Sequence, residues 1–144
     1  MKKVENKIYK IIAEVLYLFL IFFFSYTAIN KLMNLDSFRN NLIKTSLFTE
    51  EVANWFSLLV IFCEIVVVLV VIFYKKIGLL LLSFMILIFT VYISYLNYKG
   101  LYEVCGCGGV LNGLKYKYHL TINIFLLIGA LFSSIIFNPI SDEK

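Results

Sequence analysis

Residues 55–96 read WFSLLVIFCEIVVVLVVIFYKKIGLLLLSFMILIFTVYISYL. Two apolar runs, Trp55–Tyr74 and Ile77–Leu96, lie on either side of Lys75 and Lys76, and Glu64 is the lone acid in either run. Each run has the roughly 20 residues that cross about 30 Å of hydrocarbon as an α-helix. The lysine pair leaves room only for a tight reversal, so the stretch predicts a transmembrane helical hairpin.

Outward from this hairpin the same composition recurs. Ile11–Ile29 and Leu120–Phe137 are further apolar blocks, and the 144-residue chain is 62% hydrophobic with a mean hydropathy of +0.92. Such values exclude an ordinary soluble domain. They predict an all-α integral membrane protein, a single domain over residues 1–144 built as a four-transmembrane-helix bundle. The one proline, Pro139, follows the last block, so no span is kinked by proline. The first block carries Glu14 and lacks a small-residue cleavage pattern, which predicts a retained helix rather than a removed leader. The net charge of +4 comes from Lys and Arg spread among the span ends, which suits membrane flanks and not a nucleic-acid surface.

Lys2, Lys3, Lys7 and Lys10 crowd the N-terminus, and Lys75 and Lys76 fill the hairpin. Dense basic residues mark cytoplasmic segments, so both termini and the hairpin are expected in the cytoplasm. The connectors at 30–54 and 97–119 then face outward from a bacterial inner membrane. Within the first of these, Leu32, Leu35, Phe38, Leu42 and Phe48 recur at roughly helical steps among Asp36, Arg39, Asn40 and Lys44. That pattern predicts an interfacial amphipathic helix over about 34–46, either a roof over a pocket in the bundle or, as the simpler reading, an ordinary interfacial connector. Thr49, Glu50 and Glu51 supply a cap and two acids for the start of the second span.

Polar residues within the spans gather toward the outer leaflet. Tyr26 with Asn30, Thr90 with Ser94 and Asn97, and His119 with Asn123 are spaced by three or four, each set sharing a helix face. Ser25, Thr27 and Thr121 lie among them. Together they predict an outward-opening polar pocket, the alternative being that they join helices by hydrogen bonds. Glu64 is costly in hydrocarbon unless it faces the bundle interior, is neutralised or finds a partner, and Lys31 can reach it only if the first helix ends deep. Glu14, four residues after Lys10, reads as a helix-end charge near the inner interface.

The second outer connector holds the motif Cys105-Gly106-Cys107, followed by Gly108 and Gly109. A disulfide closed across one residue is hard to build without strain, and strained bridges are the exchangeable ones. The glycines remove side chains from the path of an attacking thiolate. Lys115, Lys117 and the start of the fourth helix favour thiolate over thiol, and His119 is a candidate proton carrier if the loop folds back onto it, the alternative being an interfacial polar residue. An extracytoplasmic position permits disulfides. A Cys₃His metal site from Cys63, Cys105, Cys107 and His119 stays open, although Cys63 lies within a span and the paired thiols lack the usual two-residue spacer.

Two stretches resemble the MauE/DoxX group of redox-associated membrane proteins, which are four-helix bundles. One is FFFSYTAINKLMNLDSFRNNL, residues 22–42, followed by Glu64; the other is CGCGG, residues 105–109, followed by KYHLTIN, residues 117–123. At Gly109 the chain departs from the methylamine-utilisation members, which tend to carry an aromatic there. The resemblance implies a helper for disulfide chemistry outside the cytoplasm, working with a thioredoxin-like or secreted thiol protein. It implies Cys105 and Cys107 as the redox pair, His119 and Asn123 lining the site, and Glu64 beneath it. One form of this reading adds a quinone as electron acceptor in the pocket. A non-catalytic membrane subunit or assembly factor is the competing reading.

Overall fold

The computed structural model describes residues 2–102 and 113–137. The described residues form five helices and no strand: α1 (Lys2–Met33), α2 (Leu35–Lys44), α3 (Glu50–Phe73), α4 (Lys75–Tyr98) and α5 (Tyr116–Ile136). Four of these, α1, α3, α4 and α5, are long and apolar enough to cross a membrane. With 24 residues each, α3 and α4 extend about 36 Å, more than the hydrocarbon thickness. The chain is a multi-pass membrane protein.

Packing follows the four-sided order α1, α3, α4, α5, with α5 returning to α1. Tyr17, Leu20 and Phe24 of α1 meet Val68 and Val71 of α3, Leu79, Leu82 and Ile86 of α4, and Leu126 and Ala130 of α5 in one buried cluster. The outward faces are equally apolar: Phe22, Trp55, Phe62, Phe84 and Phe125 are all exposed. A bundle apolar inside and out matches a lipid surround, where contact with acyl chains replaces contact with water. Small residues let α5 approach α1 closely, and Ser133 Oγ donates to the Ala13 carbonyl at 3.3 Å.

The hairpin reverses more tightly than the lysine pair suggests. Tyr74 alone separates α3 from α4, and Lys75 already opens the fourth helix. Gly78 makes this possible, because a Cβ there would stand 2.3 Å from the Val71 Cα. Lys75 Nζ lies 3.0 Å from Glu14 and over the rings of Tyr17 and Phe137 at 4.7 and 4.8 Å. Glu14 is therefore a cross-helix partner for the hairpin, in addition to being a charge near the helix end.

At the opposite end Asn34 separates α1 from α2, and α2 lies across α3. Phe38 and Leu42 are buried against Ala53 and Ile61, Phe48 stacks on Phe56 with centroids 4.8 Å apart, and Arg39 Nε donates to Ser57 Oγ at 3.4 Å. The α3 start is capped as its residues dictate, with the Val52 amide donating to Thr49 Oγ1 at 3.4 Å above Glu50 and Glu51. Helix α4 closes with a glycine in the left-handed region, Gly100 at φ +70°. The Gly100 amide donates to Asn97 O and the Leu101 amide to Leu96 O.

Candidate functional site

Between α2 and the crossing helices lies a cavity of about 160 Å³. Its α1 wall is built from Phe24, Thr27 and Lys31, steps of three and four residues that place all three on one helix face. Glu64 enters from α3, Phe89 and Tyr92 from α4, and His119 and Asn123 from α5, while Phe38 and Leu42 of α2 form the roof. Leu126 and Ile86 line it as well and belong to the apolar cluster that continues inward.

The predicted polar pocket is thus an apolar, largely aromatic chamber with a few polar groups set into its walls. Helix phase explains the difference. On α1 the inward row is Phe24, Thr27 and Lys31, whereas Tyr26 is 42% exposed and faces outward. On α4 Thr90 and Ser94 are half-buried but Asn97 is exposed, and on α5 Thr121 is exposed. Several hydroxyls are spent locally: Thr27 donates to Phe24 O at 3.0 Å, Thr90 to Ile86 O at 2.7 Å, and Thr121 to Lys117 O at 2.8 Å. These bonds satisfy the side chain within its own helix, as apolar surroundings require.

Glu64 is fully buried and Lys31 is 5% exposed. The Lys31 ammonium donates to Glu64 Oε1. Lys31 Nζ also lies 4.9 Å from the Phe89 ring centroid and 5.8 Å from that of Phe38. A carboxylate and two aromatic faces thereby replace the water that a charged lysine loses on burial. Lys31 was legible only as the possible mate of Glu64, and Tyr92 gave no signal, lying on an apolar run without a polar neighbour at helical spacing that faces the same way. Two buried polar atoms lack a hydrogen-bond partner among the described residues, Glu64 Oε2 and the Tyr92 hydroxyl. Both residues line the cavity.

His119 and Asn123 stand one turn apart on α5 and are both buried, as their spacing predicts. Asn123 Nδ2 donates to Thr90 Oγ1 at 3.3 Å, tying α5 to α4. Tyr102 provides a second tie that sequence reasoning missed. Its hydroxyl donates to the Leu114 carbonyl at 2.9 Å and lies 3.0 Å from His119 Nδ1. A hydroxyl has one hydrogen and a carbonyl can only accept, so Nδ1 of His119 is the donor of the second bond. The neutral imidazole then carries its lone pair on Nε2. Burial, with Tyr116 nearby, pushes the Tyr102 phenol above its usual range, so it remains a neutral hydroxyl at neutral pH.

Cys105 and Cys107 lie outside the described residues. Cys63 is exposed on the outer face of α3, next to Glu64 in sequence but turned away from the cavity that Glu64 lines. It does not join His119, which is 2% exposed inside the bundle. That placement removes Cys63 from the four-ligand metal set. Among the described residues no group of three or more His, Cys, Asp or Glu side chains is placed to hold a metal ion.

No curated protein and no solved structure matches the chain significantly. A family model does, over residues 9–136, from within α1 to the end of α5. The family is described as methylamine utilisation protein MauE, and on a match covering nearly the whole bundle the chain belongs to that family.

Proposed function

We propose that the protein is a membrane-embedded thiol–disulfide redox protein in which Cys105 and Cys107 exchange disulfides with a thioredoxin-like or secreted thiol protein. In this reading the dithiol attacks a partner disulfide through one cysteine thiolate. The partner's S–S bond breaks, one partner sulfur leaves as thiolate, and a mixed disulfide forms. The second cysteine then attacks that mixed disulfide, releasing the reduced partner and leaving the Cys105–Cys107 disulfide. Two electrons pass to the partner, and the same steps in reverse oxidise it.

The observation that carries the reading is the anchoring of the segment that bears the thiols. Cys105 follows Tyr102 by three residues, and Tyr102 bonds both Leu114 beyond the motif and His119 on α5. Tyr102 and Leu114, described residues on either side of the CGC segment, are thus bonded to each other beside the buried His119, and in this reading the imidazole takes up the proton of a thiol. Gly113, at φ +80°, provides the turn that leads into Leu114. The bundle lies in the bacterial inner membrane with both termini cytoplasmic and this segment extracytoplasmic, as the basic residues around α1 and the hairpin favour.

The test is covalent trapping in cells. Cys107→Ser and Cys105→Ser variants, made separately in a Cys63→Ser background, are expected to accumulate a reductant-sensitive adduct with an extracytoplasmic thiol protein in one of the two cases. Absence of an adduct in both, with full function retained, favours the non-catalytic subunit instead.

A further inference from the structure

The cavity holds an unmet demand that its apolar walls do not explain. Glu64 is fully buried, and its Oε2 accepts no hydrogen bond among the described residues. The buried Tyr92 hydroxyl is likewise unpartnered. A buried polar group without a partner is costly, so two such groups on one chamber mark a place where a ligand's atoms complete the set. Together they offer one acceptor, the carboxylate oxygen, and one hydroxyl donor.

Size and walls narrow the ligand. An apolar cavity of about 150 Å³ accommodates one benzene ring, and the chamber here is about 160 Å³. Phe24, Phe38, Phe56 and Phe89 offer ring faces and edges around it. Entry from the bilayer is available, because Ile88 lines the cavity yet is 49% exposed, midway along α4 where the surround is hydrocarbon.

We propose that this chamber binds a lipid-dissolved single-ring phenol, hydroquinones included, whose O–H donates to Glu64 Oε2 and whose oxygen accepts from the Tyr92 hydroxyl. A hydroxyl-bearing ring meets both demands. A quinone only accepts, and so leaves the Glu64 oxygen unmet. An acyl chain fills the volume and satisfies neither group. The site stands on the cavity alone and does not depend on the cysteine pair.

The experiment uses the full chain in lipid nanodiscs under anaerobic conditions, with 4-decylphenol, 2-decylhydroquinone, the corresponding decylquinone and decylbenzene as probes and thermal unfolding as readout. The two phenols are expected to raise the unfolding midpoint in saturable fashion, binding about tenfold or more tighter than the quinone and decylbenzene, the scale of one hydrogen bond to a charged group. Tyr92→Phe removes a hydroxyl that has no partner, so it leaves folding intact while weakening phenol binding severalfold. Ile88→Trp narrows the entrance and is expected to weaken all four probes. The Cys105→Ser/Cys107→Ser double variant is expected to bind the phenols as the unaltered chain does, whether or not disulfide exchange is its function. Decylbenzene binding as tightly as 4-decylphenol, wild-type phenol affinity in Tyr92→Phe, or no saturable response to either phenol would overturn the proposal.

Discussion

Lys31 and Glu64, 33 positions apart in sequence, meet as an ion pair inside the bundle, where the lysine is 5% exposed and the glutamate is fully buried. Neither charge is tolerable there alone, since a buried ion stripped of its partner keeps its desolvation cost and loses the attraction that offset it. Lys31→Met or Glu64→Gln alone is therefore expected to destabilise the bundle by about 3–5 kcal/mol. The double variant Lys31→Met/Glu64→Gln is expected to recover most of that loss. Unfolding in mild detergent measures all three, and additive losses in the double variant would contradict the pairing.

Tyr92 makes the opposite case. Its hydroxyl is buried without a partner among the described residues, so Tyr92→Phe is expected to raise the stability of the unliganded protein by about 1–2 kcal/mol. A loss of comparable size in the same unfolding assay would mean that the hydroxyl has a partner in the folded protein.

Gly78 sets the spacing of the α3–α4 hairpin. A methyl group there meets the backbone of Val71, which cannot swing aside as a side-chain tip can. Gly78→Ala is expected to cost about 1–3 kcal/mol or more through overpacking, with Gly78→Leu preventing assembly. Expression level and unfolding midpoint report both. Gly100→Ala meets no atom within 4 Å, but its φ of +70° makes it a strained substitution at the end of α4 with a smaller expected loss of about 1 kcal/mol.

Tyr102 clamps the ends of the cysteine-bearing segment. Tyr102→Phe removes its bonds to Leu114 and His119 and is expected to cost about 1–2 kcal/mol locally, read as faster amide exchange at Tyr118 and His119, whose amides donate to Lys115 O at the start of α5. The pH sign follows from the raised phenol pKa. The folded state holds the Tyr102 proton more tightly than the unfolded chain, so the clamp is fully present below about pH 10. It is lost as the pH rises through the higher folded value. Protection of the Tyr118 and His119 amides that falls between pH 7 and 9 would contradict this.

Much of the architecture is legible in residue order alone. The four apolar blocks correspond to the four spanning helices because the length needed to cross a bilayer is a property of the sequence window, independent of partners. The burial of Phe38 and Leu42 in α2 likewise follows their spacing. What spacing does not settle is rotation. Tyr26 and Thr27 are adjacent, yet only Thr27 turns inward, since the choice depends on where α3 and α5 stand around α1. In a helix apolar on every side, hydrophobic pattern carries little directional information, and the polar residues alone must indicate the inner face. His119 and Asn123 did so correctly, as did Glu64. Tyr92 and Tyr102 did not, because their roles arise from contacts between helices and connectors distant in sequence.

The most direct test of the account is thiol labelling with a membrane-impermeant maleimide in the Cys63→Ser background, using sealed vesicles of both orientations with and without mild reductant. The account predicts that Cys105 and Cys107 are modified only after reduction and only from the extracytoplasmic face. Modification from the cytoplasmic face, or equal labelling before and after reduction, would contradict it.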